Sequence, residues 1–182
     1  PLLFYTIDTF LKAYDDLQII LVLPEAHIDK GQEIIDAWFD KNRITICKGG
    51  ETRFHSVQNG LQLINEECII FVHDGVRCLV SKNLIKSCCI QAAETGSAIP
   101  VVTSKDSIRL VVDEGNVPLD RNCVKFVQTP QTFLSKILLS AYKIDYKDKF
   151  TDEATVVEAF GLKVNLIEGE EKNIKITTHE DL

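Results

Sequence analysis

Cys68-Ile69-Ile70-Phe71-Val72-His73-Asp74-Gly75-Val76-Arg77 reads as a buried strand that ends in an Asp, a Gly and an Arg. In an open α/β sheet, ligands bind in the crevice outside the carboxyl ends of the strands. An Asp there can hold a divalent cation, a Gly lets backbone approach a ligand closely, and an Arg can pair with phosphate. The plainer reading of the same residues is a strand-to-helix turn with a solvated Asp–Arg pair.

On both sides of this stretch helix and strand signals alternate, which predicts an α/β fold with a mostly parallel sheet. Upstream, Phe4, Ile7, Phe10 and Leu11 share a helical face, and Ile19–Leu23 reads as a strand stopped by Pro24. Ile34, Ile35, Trp38 and Phe39 mark a second amphipathic helix, and Ile44–Cys47 a short strand. After Gly49-Gly50 the spacing of Phe54, Val57, Leu61 and Ile64 predicts a third helix with that face inward. Downstream come a helix over about Lys82–Thr95 and a strand over Ala98–Val102.

The rhythm breaks at residues 103–123. There Ile108, Val111 and Val112 precede Asp113-Glu114-Gly115-Asn116, a hairpin signal that predicts an arm or lid outside the core. Val124–Val127 resumes as a strand. Helices follow at Leu134–Tyr142 and Asp152–Phe160, and Val164–Ile167 is the last strand.

A chain of 182 residues is long enough to bury one full core, so a single domain is expected. The formal charge of −7 argues against broad nucleic-acid binding but admits a small anionic substrate where Lys, Arg and a metal converge. No apolar run approaches the ~20 residues that span a bilayer. Asp8 interrupts the first apolar segment and no basic stretch precedes it, so neither a membrane span nor a signal peptide is read. The six cysteines form no CxxC pair and no Cys/His metal spacing. They read as free thiols of a reducing, cytoplasmic setting, with Cys78 a possible site-adjacent thiol because it follows the Asp74–Arg77 turn.

Other segments carry chemistry by position. Gly49-Gly50-Glu51-Thr52-Arg53-Phe54-His55-Ser56 joins a strand end to a helix start, where backbone amides and the helix N-terminus favour anions or base acceptors. Its plainer reading is a turn with Thr52 as N-cap. Arg53 and Ser56, three apart, face the same end of that helix. In Thr129-Pro130-Gln131 the proline pushes Thr129 into extended geometry, and Gln131 reads as fixing the turn into the next helix. Thr151-Asp152-Glu153 opens a helix with Thr151 as a candidate N-cap and acids suited to the dipole. In Asn173-Ile174-Lys175-Ile176, strand-like alternation puts Lys175 opposite both isoleucines, either solvated or aimed into the cleft. Arg121 closes the arm, with Asp120 or Asp113 as the plain ion-pair partner.

Taken in order, GGETRFHSV, VHDGVR, KDSIRL, LDRN, TPQTF, TDEA and NIKIT are far more specific together than singly. The chain resembles the 2-C-methyl-D-erythritol 4-phosphate cytidylyltransferases over its whole length, 1–182. The resemblance implies a Rossmann-like nucleotidyltransferase fold with a dimerising β-arm. It further implies transfer of a cytidylyl group from CTP to a sugar-alcohol phosphate in isoprenoid biosynthesis, with Mg²⁺ as cofactor and a homodimer as the working unit. Residue by residue, Gly50, Glu51 and Ser56 match cytosine-reading positions. Asp74, Gly75 and Arg77 match positions near the ribose, the metal and the acceptor, with Asp74 the expected metal ligand. Ser107 lies on the arm that reaches the other subunit, while Arg121 and Lys175 match the basic residues that position the acceptor phosphate. Thr129 and Thr151 match substrate-side hydroxyls.

Two departures stand out. Family members begin with a strand and a Gly-rich loop carrying an Arg, followed by a Pro-Lys pair. Here Pro1-Leu2-Leu3 opens inside what reads as the helix after that loop, so a longer protein is expected to carry those parts. Cys78 stands where many members have Pro. The rival readings are a ribitol 5-phosphate cytidylyltransferase of the same fold, and a noncatalytic nucleotide-binding protein that lacks the triphosphate loop.

Overall fold

Helix–strand alternation carries through the first hundred residues as the spacing of apolar side chains dictates. The computed structural model describes residues 1–181. In order these form α1 (Leu2–Leu11), β1 (Ile19–Leu23), α2 (Ile28–Trp38), β2 (Ile44–Lys48), α3 (Arg53–Leu61), β3 (Ile69–Val72), α4 (Lys82–Thr95) and β4 (Ser97–Thr103). Then follow β5 (Ile108–Val112), β6 (Gly115–Leu119), β7 (Lys125–Val127), β8 (Gln131–Leu134), α5 (Ser135–Ala141), α6 (Glu153–Ala159) and β9 (Leu166–Glu168).

Among the described residues the pairing is mixed, which corrects the expectation of a mostly parallel sheet. β1 and β2 pair in parallel, and β9 lies parallel beside β4. β3–β8, β8–β4, β4–β7 and β5–β6 are all antiparallel. The cause is β8. Gln131–Leu134 reads from sequence as the approach to a helix, yet it forms a strand running against both β3 and β4. It can do so because its side chains find partners on both sides: Thr132 and Phe133 are fully buried, and Phe133 joins Phe54, Ile70, Ile99, Leu138 and Val157 in one cluster. A fully buried Phe contributes on the order of 2–3 kcal/mol.

The same cluster sets the pose of α3. Phe54 stacks on Tyr142 with ring centroids 4.7 Å apart, and Gly60 rests against Val22 of β1 so closely that a Cβ would stand 3.1 Å from its methyl. The first of these contacts holds the start of α3 and the second its last turn against β1. On the opposite layer, Phe10 of α1 packs with Leu84, Ile85 and Cys88 of α4. Gly96 ends α4 with φ +94, the left-handed region that glycine adopts without strain. Trp38, expected on the apolar face of α2, is instead 64% exposed and meets Phe4 edge to face.

The hairpin predicted around Asp113-Glu114-Gly115 is present. Ile108 pairs with Leu119 and Val112 with Gly115, so Asp113 and Glu114 form the tip. Val111 is 81% exposed, and Leu110, Val112, Val117 and Leu119 are exposed with it.

Candidate functional site

The Asp74 turn is held from four directions. The Asp74 N–H donates to Thr129 Oγ1 (3.1 Å), and the Arg77 N–H donates to the Asp74 carbonyl (2.9 Å). From α1, the Thr6 hydroxyl donates to the Gly75 carbonyl at 2.8 Å. His73 packs half-buried against Phe10, with Nδ1 2.9 Å from Thr129 Oγ1 and Nε2 3.2 Å from the Arg77 carbonyl. Desolvation lowers the His73 pKa to about 4. The ring is therefore neutral at pH 7, and the pattern assigns its proton to Nε2, donated to Arg77, while the Thr129 hydroxyl donates to Nδ1. Thr129 is thus a buried strut, not an open hydroxyl.

Three cations ring the Asp74 carboxylate. Lys175 Nζ lies 3.3 Å from Oδ2, Arg77 Nε 3.5 Å from Oδ2, and Arg53 Nη2 3.8 Å from Oδ1. Burial pushes the Asp74 carboxyl up, but Lys175 and Arg53, then Arg77, outweigh it and hold the group below its usual range. Arg53 reaches further, forking onto the fully buried Glu153 through Nη1 and, at 2.8 Å, Nη2. Two carboxylates thus face three cations, and the remaining positive charge suits a phosphate.

Arg77 and Lys175 are placed by Asn173. Its carbonyl accepts from Arg77 Nη1 (2.8 Å), and its buried side-chain amide donates to the Thr129 carbonyl (2.8 Å). The Ile176 N–H then donates to the Val76 carbonyl (3.2 Å). Residues 173–177 are not a strand, and the expected alternation fails: Ile176 is buried while Ile174 is exposed. Lys175 turns to Asp74 with its side chain 47% exposed. Of the two sequence readings, it takes the cleft.

At the neighbouring strand end, β2 passes through Gly49 and Gly50 into α3. Thr52 caps α3 as expected, accepting from the His55 N–H. The Ser56 hydroxyl accepts from the Gly50 N–H (3.1 Å) and donates to the Thr52 carbonyl (2.9 Å). A Cβ on Gly50 would stand 2.4 Å from that of His55, so the tight turn requires glycine. Glu51 is exposed at its rim.

Other expected site residues stand apart. Thr151 is exposed and is not the cap of α6; Asp152 is, because its carboxylate accepts from the Thr155 N–H while the Thr155 side chain closes back on it. Arg121 makes no ion pair with Asp120 or Asp113 among the described residues, and instead donates to the Lys105 carbonyl at 2.6 Å. Ser107 lies exposed at the root of the arm. No hydrogen bond or ion pair among the described residues joins Ser107 or Arg121 to Asp74.

Asp74 fits a Mg²⁺ ion in a limited way. No group of three or more His, Cys, Asp or Glu side chains gathers among the described residues, so the protein alone offers no cage. Lys175 and Arg77 approach Oδ2 at 3.3 and 3.5 Å while Arg53 stands 3.8 Å from Oδ1, so Oδ1 is the oxygen better placed to meet a hard cation. Mg²⁺ commonly takes one or two carboxylates and completes its shell with water and substrate phosphates.

A family model described as IspD, 2-C-methyl-D-erythritol 4-phosphate cytidylyltransferase, matches residues 1–182. The chain belongs to that family. It is 42% identical over 182 residues to the 2-C-methyl-D-erythritol 4-phosphate cytidylyltransferase of Bacteroides fragilis, covering 100% of this chain and 83% of that protein. The enzyme of the same name from Phocaeicola vulgatus is 43% identical over 183 residues, covering 100% and 83%. Among solved structures, 4-diphosphocytidyl-2C-methyl-D-erythritol synthase from Anaerococcus prevotii superposes with a TM-score of 0.88 at 30% identity, covering 99% of this chain and 82% of that one. As a family member, the chain is a cytidylyltransferase enzyme.

Within this cytidylyltransferase, sequence reasoning singled out Asp74, Arg77 and Lys175 and the structure brings them together. It missed Glu153, read as an acid at a helix start, along with His73 and Asn173.

Proposed function

We propose that the protein transfers the cytidylyl group of CTP to the phosphate of 2-C-methyl-D-erythritol 4-phosphate, releasing pyrophosphate. The observation that carries this reading is the convergence of Arg53, Arg77 and Lys175 on Asp74, beside the Gly50–Ser56 turn. In the transfer, an acceptor phosphate oxygen attacks the α-phosphorus in line. The new P–O bond forms as the α–β bridge breaks, and the electron pair leaves with pyrophosphate. No covalent enzyme intermediate is required, so the residues act by placement and charge.

In this reading Gly50, Glu51 and Ser56 hold the cytosine, and Gly75 brings backbone close to the ribose. Lys175 and Arg77 meet phosphate oxygens. Thr129 acts through the Asp74 turn it supports, and Thr151 contacts substrate from the rim. Mg²⁺ held by Asp74 would neutralise phosphate charge when bound. The arm at residues 103–123 joins two copies, so that Ser107 and Arg121 of one serve the site of the other. Free cysteines, all six of them, suit a cytoplasmic enzyme.

The test is pyrophosphate release by the full-length protein with each nucleotide and with either acceptor. Turnover with CTP and methylerythritol phosphate, and not with ATP, GTP or UTP, is expected. Equal turnover of all four nucleotides would remove the base-reading role, and preference for ribitol 5-phosphate would replace the acceptor.

A further inference from the structure

Glu153 is a carboxylate with 0% exposure. A helix N-terminus needs no such burial, since an exposed acid interacts with the dipole as well. Burying a charge is costly unless geometry and hydrogen bonds compensate it. Here they do: the Arg53 fork closes on both oxygens, and the Tyr142 hydroxyl donates to Oε1 at 3.2 Å. Full burial pushes the Glu153 carboxyl up, against the pull of Arg53. Tyr142 also stacks on Phe54, the residue after Arg53. The Arg53 guanidinium is therefore anchored on Glu153, and its chain neighbour Phe54 is anchored on the tyrosine that serves the same carboxylate.

The far side of that guanidinium is what makes the anchor consequential. Arg53 Nη2 lies 3.8 Å from Asp74. Arg53 itself opens α3, next to the cap Thr52 and three residues before Ser56, whose hydroxyl takes the Gly50 N–H. One side chain thus spans from the Gly50–Ser56 turn to the Asp74 turn, and a carboxylate from a third part of the chain keeps it from closing fully on either.

We infer that Glu153 is a positioning residue, which holds Arg53 between two carboxylates so that Asp74 keeps its oxygens open and in register with the Gly50–Ser56 turn. The inference rests on the proposed cytidylyl transfer. Without the Glu153 charge, Arg53 has one carboxylate left and closes on Asp74.

The experiment uses the full-length protein and Glu153→Gln, which keeps the shape and removes the charge. Turnover should fall roughly ten- to hundredfold in kcat, while cytidine 5′-monophosphate binding without metal, by calorimetry, changes less than about threefold. In the Asp74→Asn background the same substitution should cost almost nothing further, because its effect passes through Asp74. Nitrogen-15 NMR of the Arg53 guanidinium gives a readout free of activity. Its Nη protons should be resolved and slowly rotating in the wild type and in Asp74→Asn, and averaged or shifted in Glu153→Gln. Should Glu153→Gln fail to fold, Arg53→Lys keeps the charge, loses the fork and should show the same kcat loss with nucleotide binding retained. Additive losses in the double variant, or equal losses of nucleotide binding and turnover, would reduce Glu153 to a structural role. A freely rotating Arg53 in the wild type would overturn the anchor itself. Wild-type inactivity with CTP would sink the transfer reading and leave the NMR outcome to judge the anchor.

Discussion

The Asp74 turn and the β5–β6 arm differ in almost every physical respect. Around Asp74 the turn is built from contacts within the chain, a neutral His73, a Thr129 strut, an Asn173 clamp and three cations, with Arg77 Nε and Asn173 Oδ1 left without a hydrogen-bond partner among the described residues. The arm has the opposite character, with Leu110, Val111, Val112, Val117 and Leu119 exposed, and Arg121 just beyond it donates to the Lys105 backbone carbonyl. A charge cluster finished inside one chain can be rigid before substrate arrives. An apolar ribbon left in water acquires a purpose only when something covers it. The contrast teaches that the preorganised charge cluster and the exposed apolar ribbon, where the proposed dimer would form, are different parts of the molecule.

The largest expected effect lies in the first region. Asp74→Asn leaves Arg53, Arg77 and Lys175 around an uncharged amide and should lower kcat by about a hundredfold or more, with the circular dichroism spectrum unchanged. Near-normal turnover at limiting Mg²⁺ would mean that the carboxylate is neither hub nor metal ligand.

A middle-sized effect is expected from Arg121→Ala, which removes one charge-assisted contact and should cost about ten- to hundredfold in kcat/KM for the acceptor, with CTP binding little changed. Mixing this variant with Asp74→Asn sharpens the comparison. If the arm completes the other copy's site, each mixed dimer holds one site with both residues intact and recovers up to half the wild-type activity. No recovery in dimers verified by mass would return Arg121 to its own chain and dissolve the division between the two regions.

The smallest effect on stability belongs to the arm. Val111→Glu touches a residue 81% exposed, so the unfolding free energy of the separate chain should shift by no more than about 0.5 kcal/mol. Sedimentation should nevertheless show monomers at concentrations where the wild type is dimeric. A wild type that is monomeric throughout would break the assembly half of the comparison.

How far the sequence carried depended on the range of the interaction. Local signals were reliable: the Thr52 cap, the Asp113-Glu114 hairpin and α4 stand where residue spacing put them. β8 was missed because Pro130 and Gln131 have turn chemistry, whereas burial of Thr132 and Phe133 between β3 and β4 decided the outcome. Thr151 lost the cap of α6 to Asp152 through a reciprocal pair with Thr155, a competition between neighbours that composition does not rank. At the site, the VHDGVR and NIKIT motifs marked Asp74, Arg77 and Lys175. Glu153 was illegible as a buried anion, since an acid at a helix start looks the same whether or not an arginine 100 residues earlier folds onto it.

That separation has a consequence in time. Arg53 and Glu153 lie 100 residues apart, and Arg77 and Asn173 lie 96 apart. At about 5–20 residues per second, a ribosome needs roughly 5–20 s between the members of each pair. Arg53 and Arg77 leave the ribosome first and wait solvated, at little cost, while Lys175 follows later. Glu153, the carboxylate destined for complete burial, is made when its arginine is already present to receive it.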